Sequence, residues 1–438
     1  MSLTDQDKTI PAADAFDYRK FTLEMFMFGF GQELDEVDEF NAWKDAVIRD
    51  KRYPFENIRM GAQRPHVEFD REDGGHFRTL NFSNYNYLGF GYHPEVIEAA
   101  QAATARYGLG AASSPTLSGT MLVHKELEHG LVDFMGLPDR GVSLFVSGYL
   151  ANLGTLQAIA QRGHHVVMDK LVHMSILEGA RNSGATLHYF DHNDADHLDE
   201  ILKPLSTKGQ RIIVCAEGVY SAEGDFGALD RVVKVSKKYG AYVLVDEAHS
   251  VLIAGEHGRG ACELSGVLDQ VDFYILTFSK AFSGVGGALI ADKKITQYVN
   301  WYANCRLFAA AMVPPVAGGL VKVLELARGS EGDVRRKRLV ANADKMRARL
   351  QPHVPVGLSE SWIIPVIYGR DDRTLDIADF LQRNGLDSSI LQFPSVPKNE
   401  ARLRLFMNSE HSDQDIDQAA DIVIKAADHF GFRKGGQA

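Results

Sequence analysis

Two short apolar runs each end in groups able to do chemistry. Val243-Leu244-Val245 leads into Asp246-Glu247-Ala248-His249, and Leu276-Thr277-Phe278 leads into Ser279-Lys280-Ala281-Phe282, with Gly284, Gly286 and Gly287 close behind. A lysine held out of water can lose its proton and attack an aldehyde. A carboxylate beside a pyridine nitrogen favours its charged form by about one to three pKa units. A histidine nearby can hydrogen-bond a phenolic oxygen. An aldehyde, a pyridine nitrogen and a phenol on one ring are the functional groups of pyridoxal 5'-phosphate. The two segments therefore predict a pyridoxal-phosphate site, with Lys280 forming the Schiff base, Asp246 against the ring nitrogen and His249 on the phenolic oxygen. Each residue alone has a plainer reading: a surface lysine, a loop-capping aspartate, a structural histidine. Their combination carries the chemistry.

The phosphate needs its own cradle. Ser147-Gly148-Tyr149 follows the apolar run Val142 to Val146 and opens a helical stretch from Ala151 to Ala160. Free N–H groups and the helix dipole at such a start suit an anion. Thr277 and Ser279 offer hydroxyls to the same group, and Ser221 closes a further apolar run. His173 is placed to stack on the cofactor ring and to polarise a thioester carbonyl. His188, His192 and His197 are spaced close enough to suggest a metal, but Asn193-Asp194-Ala195-Asp196 before an apolar-periodic segment reads as a helix cap. No metal is expected. Gly108-Leu109-Gly110-Ala111 lacks the third glycine and the preceding strand of a dinucleotide loop, so NAD is not expected.

Elements must bring these residues together. Val142 to Val146, His165 to Met168, Arg211 to Ala216, Ala241 to Val245 and Phe273 to Thr277 are rich in Val, Ile and Leu and apolar on both faces. That is the pattern of parallel strands covered by helices. In such sheets the site lies at the carboxyl ends of the strands, where Ser147, Ser221, Asp246 and Lys280 all fall. Residues 317 to 350 read as one or two long charged helices. Trp362 to Tyr368, Ile377 to Asn384, Leu403 to Met407 and Ile416 to Ala426 then read as β, α, β, α, a small α+β domain. Residues 1 to 15 are polar and expected to be loosely attached. The aromatic- and methionine-rich stretch from Phe21 to Phe30 is expected to be an arm packed on its own body or on a dimer mate.

Bulk properties narrow the class. The 438 residues carry a net charge of −11 and no dense Lys/Arg block, which argues against nucleic acid. Cys215, Cys262 and Cys305 are scattered, as expected of reduced thiols in the cytoplasm. No apolar run is long enough to span a bilayer, so any membrane contact is expected to be peripheral.

These residues resemble the α-oxoamine synthases, a fold type I pyridoxal-phosphate family that includes serine palmitoyltransferase and 8-amino-7-oxononanoate synthase. The resemblance runs from about Asn81 to Phe430. It rests on Asn84-Tyr85-Asn86-Tyr87-Leu88-Gly89, Ser118-Gly119-Thr120, Gly148 to Asn152, Glu217-Gly218-Val219-Tyr220-Ser221, Asp246 to His249, Thr277 to Lys280 and Pro394-Ser395-Val396-Pro397. It implies an α/β fold: a mainly parallel, seven-stranded-type sheet in a large domain (66–325), a small C-terminal α+β domain (326–438) and an N-terminal arm (1–65). It implies Lys280 as Schiff-base lysine and base, His173 as the stacking residue, Arg404 on the amino-acid carboxylate and Asn86 near it. The implied reaction joins an L-amino acid to an acyl thioester of coenzyme A or acyl carrier protein, with loss of CO2, in a homodimer whose site lies at the subunit interface. Serine with a long-chain acyl group is expected first. Alanine or glycine, or an aminotransferase of the same fold, are the alternatives. Two segments depart from the family: Ser114-Pro115-Thr116-Leu117 replaces an arginine, and Ala309 to Pro315 lacks the hydroxyl that reaches the phosphate across the dimer.

Overall fold

Strands that are apolar on both faces must be covered on both faces. In the computed structural model, which describes residues 17–26 and 34–435, they are. The strands in chain order are β1 (Ile58–Arg59), β2 (His66–Asp70), β3 (His76–Phe82), β4 (Arg140–Phe145), β5 (His165–Asp169), β6 (Thr186–Phe190), β7 (Ile212–Glu217), β8 (Tyr242–Asp246), β9 (Phe273–Thr277), β10 (Gly287–Asp292), β11 (Ile363–Gly369), β12 (Leu386–Leu391) and β13 (Ala401–Phe406).

Seven of them form the large sheet, in the order β4-β10-β9-β8-β7-β5-β6. Neighbours from β6 to β9 pair in parallel. β10 alone runs against both of its neighbours, β9 and β4. Alternation along each strand feeds two apolar layers. Val214 and Ala216, Val243 and Val245, and Tyr274 and Leu276 enter one layer. Ile213 and Cys215, Leu244, and Phe273 and Ile275 enter the other. The first layer continues into Leu403, Leu405 and Val423, so the C-terminal part shares a core with the large sheet.

The second sheet has the order β1-β2-β3-β12-β13-β11. Here the structure departs from the expected chain division. The hairpin β2-β3 joins the C-terminal strands through a parallel pairing of β3 with β12, Leu80 opposite Leu386. Residues 58–82, which straddle the expected boundary between the arm and the large domain, thus belong by hydrogen bonding with the second sheet. Six strands were not anticipated as such: β1, β2, β3, β6, β10 and β12. The long charged stretch is two helices, Pro314–Arg328 and Ser330–Leu350, divided at Gly329.

Of the aromatic arm, Met27 to Phe30 lie outside the described residues, as do residues 1 to 15. The described part packs on its own body: Phe21, Leu23 and Phe26 gather around Trp43 and Tyr53, with Leu375 of the C-terminal region against them. No helix among the described residues is long and apolar enough to cross a membrane.

Candidate active site

Four parallel strands deliver polar residues to one edge of the large sheet. β5 ends at Asp169, β7 at Glu217, β8 at Asp246 and β9 at Thr277, with Glu217 in register with Asp246. The edge is laced together by main-chain bonds, Gly218 N–H to Asp246 O at 2.8 Å and Glu247 N–H to Ile275 O at 2.9 Å. Between these ends lies a cavity of about 200 Å³. Every residue put forward from the sequence lines it except Asn86 and Arg404: Ser147, Gly148, Tyr149, His173, Ser221, Asp246, His249, Thr277, Ser279 and Lys280.

One wall is the start of the helix Gly148–Ile159. Ser147 caps it, its Oγ accepting Leu150 N–H at 3.2 Å. Gly148 presses against β9 and β10: a Cβ there would overlap Thr277 Oγ1 and come within 2.7 Å of Thr277 Cβ. Only glycine allows the helix start to sit this close to the strand end, and its free N–H groups then face the cavity.

The floor is Asp246, 5% exposed. Its Oδ1 accepts Ala248 N–H at 2.9 Å and its Oδ2 accepts Asn152 Nδ2 at 2.6 Å. His249 is buried, its Nδ1 2.7 Å from the hydroxyl of Tyr87. Trp362 Nε1 donates to the His249 carbonyl at 3.0 Å. Burial holds the His249 pKa well below the ordinary histidine value, with Lys280, Arg404 and His173 adding to the effect. His173 opens into the cavity, with the edge of Tyr149 6.0 Å away between ring centres. The Tyr149 hydroxyl binds Glu178, which raises its pKa to about 12.

Lys280 stands opposite, its Nζ 6.0 Å from the centre of the Tyr85 ring. Crowding by protein lowers its pKa; Asp246 and Glu217 resist the shift and Arg404 reinforces it. An amine tuned downward in this way is the form needed for nucleophilic attack and for taking a proton.

Arg404 lies outside the cavity lining but next to it. It donates to Ser221 O at 3.0 Å and to Ser389 Oγ at 3.3 Å, and its buried Nε has no partner among the described residues. Asn86 lines a neighbouring cavity of about 420 Å³ that shares Ser279 and Lys280 with the first. Its Oδ1 accepts Ser283 Oγ at 2.5 Å, and its Nδ2 donates to Gln63 O at 3.2 Å.

Sequence reasoning gave no role to Asn152, Ser175 and Glu217, which also line the cavity. Asn152 is four residues after Gly148, on the same helix face. Glu217 accepts the His173 N–H, and burial followed by the Asp246 charge drives its pKa well above the usual carboxylate range. His192 sits between Asp169 and Asp225, at 3.1 and 2.9 Å. Asp194 caps its helix, accepting from Asp196 N–H and His197 N–H.

A profile described as aminotransferase class I and II matches residues 78–423. The 8-amino-7-oxononanoate synthase of Salmonella paratyphi B is 35% identical over 80% of this chain and 89% of its own. The chain belongs to the α-oxoamine synthase family. Among solved structures of this family, serine palmitoyltransferase of Sphingomonas wittichii superposes with a TM-score of 0.84 at 29% identity, covering 92% of this chain and 99% of that one. The 8-amino-7-oxononanoate synthase of Francisella tularensis shares the fold, with a TM-score of 0.69 at 23% identity over 80% of this chain. Fold type I and dependence on pyridoxal phosphate come with the family.

The residues present suit that cofactor. A helix N-terminus lines the cavity at Gly148, as would suit a phosphate, a buried carboxylate lines it at Asp246, and the lysine that lines it, Lys280, has a lowered pKa.

Proposed function

We propose that the protein joins an L-amino acid, serine first, to a long-chain acyl thioester of coenzyme A or acyl carrier protein, releasing CO2, the free thiol and a 2-amino ketone. The observation that carries this is the cavity that brings Lys280, Asp246, His249 and His173 to one edge of the sheet, with Arg404 beside it. Pyridoxal phosphate, when bound, supplies an electron sink for a carbanion. Ser147, Gly148, Tyr149, Thr277 and Ser279 would hold its phosphate. Asp246 would hold the ring nitrogen, His249 the phenolic oxygen, and His173 the ring face, with Ser221 at the rim.

The chain's own groups do the rest. Lys280 Nζ takes the α-proton of the amino acid, a step open to an amine whose pKa is lowered. Arg404 pairs with the amino-acid carboxylate, which suits a planar donor with an unpartnered buried Nε. Asn86, bonded to Ser283 in the adjoining cavity that shares Lys280 with the first, would lie near that carboxylate.

Serine is favoured by the likeness to serine palmitoyltransferase over 92% of the chain. The 35% identity to 8-amino-7-oxononanoate synthases favours a second reading, the same condensation with alanine and a different acyl group. Titrating the purified, cofactor-loaded protein with L-serine, L-alanine and glycine, and following the cofactor absorbance, ranks the amino acids. Product mass with acyl thioesters of graded length then names the acyl group. If L-alanine alone perturbs the absorbance, the serine reading fails.

A further inference from the structure

Beside His173 in the cavity wall, two side chains have no part in the chemistry above. Ser175 Oγ lies 2.8 Å from His173 Nδ1, and the Ser175 backbone N–H donates to the same nitrogen at 3.3 Å. Asn152 Nδ2 donates to Ser175 Oγ at 3.0 Å and to Asp246 Oδ2 at 2.6 Å. Asn152 and Ser175 are each 1% exposed.

The direction of every hydrogen follows. A carboxylate only accepts, so Asn152 must turn its nitrogen, not its oxygen, to Asp246. The same nitrogen gives its second hydrogen to Ser175 Oγ. The Ser175 hydroxyl hydrogen is then free for His173 Nδ1. The Ser175 backbone N–H can only donate, and it also points at Nδ1. A hydrogen on Nδ1 would meet both donors, whereas a bare Nδ1 accepts from both. A neutral imidazole has one N–H, so it falls on Nε2. Nε2 has no protein partner among the described residues, and the ring lines the cavity. Asn152 Oδ1 is buried without a partner. An unmade buried acceptor is costly, and here it accompanies the orientation that keeps both Nδ2 contacts.

We infer that Asn152 and Ser175 are positioning residues that fix His173 as a neutral imidazole with its hydrogen on Nε2, presenting the cavity with a hydrogen-bond donor for an oxygen of the bound amino acid or thioester. The use of that donor rests on the proposed reaction; the position of the hydrogen does not. The surroundings favour the neutral ring. Burial lowers the His173 pKa, Asp246 opposes this, and Lys280 and Arg404 add to it. Its other neighbours are the edge of Tyr149 and the Glu217 carboxyl, which accepts the His173 backbone N–H.

The test is the two-bond proton–nitrogen spectrum of protein labelled with ¹⁵N-histidine, with His173 assigned by its loss in His173→Gln, recorded with and without pyridoxal phosphate. Wild type is expected to show His173 with a proton on Nε2 in both states. Ser175→Ala keeps the backbone N–H and loses the hydroxyl. It should give a mixed population of the two ring forms and raise the amino-acid KM about 10-fold, the loss of roughly one hydrogen bond. Its kcat should change less than its KM. Ser175→Thr should restore both, and Asn152→Ala should shift the ring signal in the same direction as Ser175→Ala. His173 with its proton on Nδ1 in wild type overturns the inference, as does an unchanged spectrum and KM in Ser175→Ala. Cofactor uptake is followed by absorbance on the same samples. Failure to bind pyridoxal phosphate overturns the proposed reaction, while the ring signal of the cofactor-free protein still decides the position of the hydrogen.

Discussion

An amine on a flexible stem is protonated in water, and it becomes a base at neutral pH only where its surroundings disfavour the charge. Around Lys280 burial does this first; Asp246 and Glu217 pull the other way and Arg404 pushes further. Removing the amine should remove both the cofactor linkage and the reaction. Lys280→Ala is expected to lose the visible absorbance of the loaded protein and to reduce turnover at least about 1000-fold, the scale seen when a covalent nucleophile that is also the base is deleted. The absorbance spectrum and a thiol-release assay check this, and undiminished turnover would sink the assignment. At this scale the sequence was informative because type and place coincide: Asp246 and Lys280 follow runs that read as strands. Glu217 also follows such a run, but Asn152 and Ser175 carried no such signal. Their contacts join a helix, a loop and a strand, and neither spacing nor residue type announces which side chains meet there.

Whole elements set how close these side chains can come. The helix start at Gly148 touches the end of β9, with no room for a methyl group beside Thr277. Gly148→Ala must push the helix or the strand aside. It should destabilise the fold by about 1–3 kcal/mol, the usual cost of overpacking, and weaken pyridoxal-phosphate binding more than a substitution elsewhere on the helix. Urea unfolding and a cofactor titration measure the two effects. A second constraint ties the loops that follow β5 and β7. Asp169 accepts Leu171 N–H at 2.8 Å in the loop leading to His173, and the Asp225 carbonyl accepts Tyr220 N–H at 3.1 Å next to Ser221. His192 bridges the two carboxylates, with the Tyr220 ring edge-on to it and Asn193 donating to Asp225. Burial alone would lower the His192 pKa, but Asp169 and Asp225 outweigh it and raise it to about 10. A folded-state pKa above the unfolded value of about 6.5 means stability that is complete below about pH 6.5 and lost as pH rises towards 10. His192→Gln should therefore cost on the order of 3 kcal/mol at pH 6, where it leaves two buried carboxylates uncompensated. The gap to wild type should narrow steadily up to about pH 10, and a gap independent of pH would refute the charged bridge. At the element scale the strands with Val, Ile and Leu on both faces could be read from the sequence. The unanticipated strands lacked that pattern. β10 begins at Gly287, just behind Gly284 and Gly286, and resembles a loop, β6 exposes Tyr189 at a sheet edge, β12 is interrupted by Ser388 and Ser389, and β2 alternates polar and apolar residues as an antiparallel strand does.

At the scale of the molecule, one region of the surface is apolar where a lone subunit has no use for it. Leu109, Leu117 and Phe308 are 80%, 77% and 83% exposed, and Val285 and Val313 are also exposed. They lie on segments bound to one another: Ala311 N–H donates to Ser113 O at 2.9 Å, His124 Nε2 lies 2.7 Å from Met312 O, and Arg306 donates to Thr116 Oγ1 at 3.2 Å. The same segments reach the site. A Cβ on Gly286 would overlap Met312 Cε, and Gly286 O accepts Phe278 N–H at 2.9 Å, two residues before Lys280. Exposed apolar side chains gathered in this way mark an interface, and we propose that a second copy of the chain covers them, in a homodimer with the site beside the contact. An isologous contact repeats each residue on both subunits, so one charge placed in it is felt twice. Phe308→Asp should therefore shift the protein from dimer to monomer in light scattering after size exclusion, at a concentration where wild type is fully dimeric. Phe308 contacts neither cavity, so a site that were complete in one subunit would keep its turnover in that monomer. If the second copy completes the site, turnover falls with the dimer fraction and recovers at high protein concentration. A Phe308→Asp protein that remains dimeric, or a monomer with full turnover, would show that the apolar surface belongs to some other contact and that each subunit works alone.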